Sequence, residues 1–358
     1  MMTQSKPSPE QILQARADNP KMRERDFAQS LAISEADFVA AHCGAAEAAP
    51  IFARRVRVDI EILLERIGAV GEVMVLTRNE SAVHEKIGPF EKTIWGKHAA
   101  LALGKQIDLR IFPKHWVHGF AVEKRDGDGI RRSLQFFDAH GEAVHKIHLR
   151  TASNVEAYEQ LVSDLLLDDQ SPAIEINTAA PKGPKADVSL LDIDAFRERW
   201  GALTDVHQFV GLLRDFGVDR HQAVHLAGHD FAWRVDCSSV EAMMNHAVQE
   251  QIPIMCFVGS RGCIQIHSGP IREIKTMGPW LNVLDPTFHL HLRADHIADV
   301  WVVRKPTKDG HVTSLEAYDA QGEMIIQFFG ERHEGEAELE DWRMIAENLP
   351  RLSQSTAA

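Results

Sequence analysis

WVHGFAVEKRDGDGIRRSLQFFDAHGEAVHKIHL, residues 116–149, consists of three β-prone runs and two breaks. The runs are WVHGFAVEK, RSLQFFDAHG and AVHKIHL, each rich in the β-branched and aromatic residues that suit a pleated surface. Arg125-Asp126-Gly127-Asp128-Gly129 between the first two has the composition of a hairpin turn. Upstream, VMVLTRN and IDLRIF read the same way. Short strands joined by turns of this kind predict an antiparallel sheet.

The run also occurs twice. Sliding residues 74–150 along the second half at one fixed offset gives, without a gap, roughly sixteen identities in about 77 positions, where chance gives about five. Matches include Met74/Met255, Gly88/Gly269, Pro89/Pro270, His115/His296, Lys124/Lys305, Asp128/Asp309 and Gly129/Gly310. Asp138-Ala139 with Gly141-Glu142 returns as Asp319-Ala320 with Gly322-Glu323. A second alignment pairs Arg25, Ala28, Leu31 and Ala32 with Arg220, Ala223, Leu226 and Ala227.

Residues 8–66 read as mostly helical, with Pro9-Glu10-Gln11 and Ser34-Glu35-Ala36-Asp37 as helix starts and Ile51–Ile67 as a longer amphipathic helix. Helix returns over 153–167. Asp168-Asp169-Gln170-Ser171-Pro172 and Ala179–Lys185 read as linker. Helices then run to about residue 250, β-prone chain runs from Ile254 to Phe329, and a last helix lies near 336–348. The expected fold is α+β, with two tandem duplicated halves at 1–170 and 188–358 joined by a linker at 171–187. Each half would be a large antiparallel sheet with flanking helices.

The 358 residues carry a formal net charge of −13, which argues against a general nucleic-acid binder or a protein of anionic membranes. The opening MMTQSKPSPEQ has no apolar signal core, and no apolar run is long enough to insert in a membrane. Four cysteines without a CxxC pair fit buried thiols in a reducing cytoplasm.

LTDVHQFVGLLRDFG, residues 203–217, reads as a short helix capped by Thr204 and closed by Gly217. Val206, Phe209, Leu213 and Phe216 would face a core, and His207, Val210, Gly211 and Arg214 form a neighbouring stripe. A histidine in the first turn feels the positive end of the helix dipole, which favours the neutral, metal-binding imidazole. Gly211 costs roughly 1 kcal/mol relative to alanine, so a packing reason is expected, and its missing side chain would admit a flat ligand. The position matching His207 in the first half is Ile12, so this histidine acts once per chain.

The sequence resembles the bacterial HemS/ChuS/HmuS family of hemin-degrading and cytoplasmic heme-trafficking proteins over nearly its whole length. The likeness rests on Arg78-Asn79-Glu80-Ser81-Ala82-Val83-His84-Glu85, Thr204-Asp205-Val206-His207 and Val303-Arg304-Lys305-Pro306. The resemblance implies one heme in a cleft between the halves, its iron bound by His207. It sets Arg110 on the opposite heme face, where it would hydrogen-bond an iron-bound water or dioxygen. Arg220, Phe257, Lys305, Gln327 and Arg332 match further pocket residues, and Val210 and Phe329 are available as apolar wall. Arg220, Lys305 and Arg332 suit the heme propionates. Phe329 stands where some members have a tyrosine, so a hydroxyl contact is expected to be missing. Two functions share this pocket: an oxygenase fed by an external electron donor, or a carrier taking heme from an inner-membrane importer to a separate heme oxygenase. His84 lies within the resemblance without an evident role, and a second heme contact there stays open.

Other histidines carry weaker signals. His145 and His148 lie three apart in a strand and point to opposite faces, which argues against a shared ion. His221, His225 and His229 follow helical spacing and read as a solvated face. The sequence holds no Walker loop, no GxGxxG between strand and helix and no GxSxG, which disfavours nucleotide enzymes and serine hydrolases.

Overall fold

In a computed structural model, the structure describes residues 6–96, 98–127, 129–178, 185–332 and 335–352. Most of the Ala179–Lys185 linker, and Asp128 of the predicted hairpin turn, lie outside the described residues. In chain order the first half forms α1 (Pro9–Asp18), α2 (Glu24–Ser30), α3 (Glu35–Ala40), β1 (Ile51–Val56) and α4 (Ile60–Arg66). Eight strands follow: β2 (Val73–Arg78), β3 (Ala82–Gly88), β4 (Lys92–Ile94), β5 (Ala100–Leu103), β6 (Asp108–Ile111), β7 (His118–Asp126), β8 (Gly129–Phe137) and β9 (Ala143–Leu149). Helix α5 (Val155–Leu165) ends this half.

The second half repeats the plan with α6 (Ile193–Gly201), α7 (Gln208–Phe216), α8 (Arg220–Leu226), β10 (Ala232–Val235) and α9 (Ser239–Gln249). It continues with β11 (Ile254–Gly259), β12 (Cys263–Gly269), β13 (Ile274–Met277), β14 (Trp280–Leu284) and β15 (Phe288–Arg293). Strands β16 (Asp299–Thr307), β17 (Gly310–Tyr318) and β18 (Met324–Gly330) precede α10 (Glu340–Glu347). The expected duplication is therefore present element by element. Even the bulge recurs, between Phe136 and Phe137 in one copy and between Ala317 and Tyr318 in the other.

Two compact units result, and they are not simple sequence halves. Asn79–His84 belongs to the unit built mainly from the second half, and Gly259–Gln265 to the unit built mainly from the first. In the first unit β1-β7-β8-β9-β2 are hydrogen-bonded neighbours, and so are β6-β5-β4. The second unit has β10-β16-β17-β18-β11 and β15-β14-β13 in the same arrangement. The hairpins pair antiparallel, β7 with β8 from His118↔Phe137 to Asp126↔Gly129 and β16 with β17 from Asp299↔Tyr318 to Thr307↔Gly310.

Within the second unit, successive residues of β16 bury opposite faces of the sheet. Val300 and Val302 join Ile254, Cys256, Leu315, Ile326 and Phe328 in one core. Trp301 and Val303 join Phe196, Trp200, Phe209, Leu212 and Tyr318 in another, beneath α6, α7 and α8. Burial on both faces explains why these strands read as near-continuous apolar runs. Truncating a core residue such as Trp200, which is fully buried, would cost about 3–5 kcal/mol.

Two expectations are corrected. Ile51–Ile67 is not one helix: Ile51–Val56 pairs with β7 as an edge strand, and Asp59 then caps α4 by accepting from Ile62 N at 3.1 Å. Cross-strand pairing overrides a helical apolar pattern there. The helix after Leu203 begins at Gln208, not just after Thr204. Asp205 accepts from His207 N at 2.8 Å, and Gln208 Oε1 accepts from Thr204 N at 2.9 Å, so side chains hold a tight turn ahead of the helix, where Gln208 N also donates to Asp205 O at 3.1 Å. Gly217 closes α7 in the left-handed region at φ 67°, as expected. The four cysteines are free thiols, three of them buried.

Candidate functional site

His207 stands immediately before α7 with its side chain 90 % exposed. Asp205 Oδ1 lies 2.7 Å from its Nδ1, so that nitrogen carries the proton and Nε2 keeps the lone pair that binds a metal. The same hydrogen bonds from the His207 backbone and ring hold the Asp205 carboxyl below its ordinary value, with Arg332 adding attraction. Val210, one turn along, is 69 % exposed, and a Cβ built on Gly211 would meet nothing within 4 Å. The packing reason expected for Gly211 is absent among the described residues. What remains is an open stripe of His207, Val210, Gly211 and Arg214 beside an anchored face, where Phe209 and Leu212 are buried.

Three further candidates meet at a residue that sequence reasoning missed. Glu316, on β17, is fully buried. Arg220 at the start of α8 grips it with Nε to Oε2 at 2.9 Å and Nη2 to Oε1 at 2.8 Å. Lys305 Nζ on β16 lies 2.9 Å from Oε1, and Gln327 Nε2 on β18 donates to Oε1 at 3.0 Å. Ser314 and Tyr318 donate their hydroxyls at 2.8 and 2.7 Å. Asp219, immediately before Arg220, caps α8 by accepting from Gln222 N. Both cations also lie over the Phe209 ring, at 5.1 Å for Arg220 and 4.9 Å for Lys305, which ties the cluster to the helix behind His207.

Burial would raise the Glu316 carboxyl, but Arg220 and Lys305 hold it well below the carboxylate range. Burial likewise pushes Lys305 down to about 8 despite Glu316. For Arg220, burial acts downward and the Glu316 pair reverses it, leaving the guanidinium above its ordinary value. Two cations thus share one carboxylate, a net positive group inside an acidic chain.

A signal for Glu316 existed. At the offset of the internal repeat it matches Gln135, which is buried and donates to Ser133 Oγ at 3.1 Å. The matching lysine, Lys124, pairs with Glu24 instead. The criterion that singles out His207 against Ile12 singles out Glu316 as well.

Phe257 and Phe329 face each other edge to face, with ring centroids 4.9 Å apart, both half-buried. Arg332 is half-buried in the segment after β18. Arg110 is on β6 of the first unit, opposite Leu101, and its guanidinium pairs with Asp108. His84 is fully buried in the second unit with its ring 4.9 Å from Phe288, so it offers no surface to a second heme. His145 is buried too, with Nδ1 2.8 Å from Thr77 Oγ1. Helix α8 ends at Leu226, so His229 does not share a helix face with His221 and His225.

The duplicated α+β frame defines a class. The model of the haemin-degrading HemS.ChuX domain matches twice, at residues 32–165 and 217–349, and the chain belongs to the HemS family. It is 39 % identical over 351 residues to the hemin transport protein HemS of Yersinia enterocolitica, covering 98 % of both chains. It superposes on holo-PhuS, a heme-binding protein from Pseudomonas aeruginosa, with a TM-score of 0.92 and 41 % identity, covering 97 % of this chain and 100 % of that one. Against ChuS, an E. coli heme oxygenase, the TM-score is 0.83 at 35 % identity, covering 93 % and 98 %. No helix among the described residues is long and apolar enough to cross a membrane.

Proposed function

We propose that this chain binds heme through His207 in the cytoplasm of a heme-importing bacterium and opens the porphyrin oxidatively to release its iron. The observation that carries this reading is an imidazole 90 % exposed yet fixed by Asp205 so that Nε2 is the free ligand atom. Val210 and the bare Gly211 give a porphyrin an apolar edge to lie on, and Phe257 and Phe329 supply aromatic wall. Arg332 would offer positive charge to a propionate, and Arg220, Lys305 and Gln327, bonded to Glu316, would add the net positive field of that cluster. Bound heme supplies the iron at which oxygen is activated, with electrons from an external donor. From the family resemblance alone, Arg110 is proposed as a further hydrogen-bond donor for the bound group. The functional copies span 1–170 and 188–358, joined by 171–187.

A second reading is favoured by Phe329, whose ring has no hydroxyl, and by the likeness to a Yersinia hemin transport protein. In it the chain carries heme from an inner-membrane importer to a separate oxygenase. A single-turnover assay with ascorbate and added catalase separates the two. Loss of the Soret band with a defined tetrapyrrole product supports the enzyme, and loss that catalase abolishes supports the carrier. Hemin titration of His207→Ala tests the site itself. It should shift the absorption spectrum and weaken binding, whereas His246→Ala, on the exposed side of α9, should do neither. An unchanged spectrum for His207→Ala would refute the assignment.

A further inference from the structure

His221 and His225 lie one turn apart on α8, and both aim Nε2 at the same oxygen of Asp299, the first residue of β16. The distances are 2.9 Å from His221 Nε2 to Asp299 Oδ2, 3.4 Å from His225 Nε2 to that oxygen, and 3.4 Å between the two nitrogens. Zinc ligands at ~2.0–2.2 Å in a tetrahedral shell stand about 3.3–3.6 Å apart, so two of the three edges already have that length. An ion 2.0–2.1 Å from each atom would lie about 0.8 Å out of their plane, near the tetrahedral value.

The three groups are also fixed from behind. The His221 ring packs against Tyr318 at 4.8 Å, and the His225 ring meets Trp301 edge-on at 4.6 Å. Trp301 Nε1 donates to Asp299 Oδ2 at 2.8 Å, and Arg234 Nε to Oδ1 at 2.5 Å, the orienting contacts that a ligating carboxylate needs. Gly322 makes room for His221: a Cβ there would lie 2.6 Å from Nδ1. His225 is 48 % exposed, which leaves an open side for water as a fourth ligand.

We propose that His221, His225 and Asp299 form a second metal site, distinct from His207, that takes a divalent first-row transition ion through two imidazoles and one carboxylate. Zinc and ferrous iron share this ligand chemistry. Three protein ligands and a water suit an ion that is bound reversibly. The contacts of both Nε2 atoms with Asp299 are what the metal would replace, each neutral ring giving up its Nε2 proton as Nδ1 takes one from solvent, so that it binds as neutral imidazole.

The test uses untagged, heme-free, full-length protein carrying His207→Ala, which removes the exposed imidazole that would compete for metal. Calorimetric titration with zinc should show one equivalent bound. His225→Ala, Asp299→Asn and His221→Ala should each weaken it at least tenfold, and His246→Ala should not. Zinc should also change tryptophan fluorescence, and Trp301→Phe should abolish that change while one equivalent still binds. Hemin titration of His225→Ala with His207 restored reports that the variant is folded, so lost zinc binding cannot be lost structure. Displacement of zinc by equimolar ferrous ion under anaerobic conditions supports the site and assigns it to iron, and retention assigns it to zinc. No saturable zinc binding, or undiminished binding by His225→Ala, overturns the proposal.

Discussion

Glu316→Gln isolates the charge at the centre of the Arg220–Lys305 cluster. The substitution keeps the shape but turns one accepting oxygen into an amide donor, and it leaves Lys305, 3 % exposed, and the Arg220 guanidinium without a counterion. Removing one partner of a buried ion pair costs about 3–5 kcal/mol. For a unit of this size each kcal/mol moves the midpoint by roughly 2–4 °C, so the variant should melt about 6–20 °C below the parent at pH 7. Lys305 supplies an internal check. Its ammonium is already pushed down to about 8, so above that pH it sheds its proton and the deficit should shrink. Lys305→Met in the Glu316→Gln background removes the second stranded charge and should recover about 2 kcal/mol or more, since neutral, packed replacements of buried ions are tolerated. Calorimetry of all four proteins at pH 7 and pH 9 decides the matter. A Glu316→Gln midpoint within about 2 °C of the parent, or a double variant as weak as the summed singles, would refute the counterion argument.

Asp205→Ala should leave stability within about 0.5 kcal/mol, because the residue is exposed, while lowering hemin affinity about 10–100-fold through a misoriented imidazole; equal affinity in a hemin titration would exclude the orienting role. Gly211→Ala should raise the melting point, by up to ~1 kcal/mol of helix propensity, since its Cβ meets open space, whereas Gly211→Phe should obstruct hemin without unfolding α7. Circular dichroism and hemin titration check both. Acid should loosen the first unit. Burial holds His145 and His148 down to about 3, below their ordinary 6.5, so the stability they contribute is full above 6.5 and lost as pH falls. Glu316 and Asp299 are held below 4.5 and 3.8, so their share is lost only beneath those values, and His311, lowered by burial, is 32 % exposed. Amide exchange should therefore lose protection in β7–β9 between pH 6.5 and 4.5, and unchanged protection there would contradict the assignment.

The β-meander was legible because its signal is local. Strands β7, β8 and β9 are rich in β-branched and aromatic residues, carry a Gly-rich turn and recur in register as β16, β17 and β18. Caps were legible for the same reason: Ser34, Asp219 and Gly217 act where their side chains or conformations predict. Edge strand β1 was not, because IFARRV has no clean alternation and only pairing with β7 decides it. The exchange of Asn79–His84 and Gly259–Gln265 is non-local and leaves no mark in composition. At the site, the exposed stripe around His207 followed from helical spacing, while the start of α7 was displaced by Asp205. Glu316 was hidden by its type: a lone glutamate in a strand reads as surface until its partners on α8, β16 and β18 are known.

Gln135 gives the charged centre of the second unit a wider meaning. The first copy builds the same strands and bulge around a neutral amide, its lysine having found a partner in Glu24. Nature has thus run the control: the scaffold does not require ions at that spot. Gene doubling let one lobe keep a neutral amide at this position while its twin buried a carboxylate and two cations there.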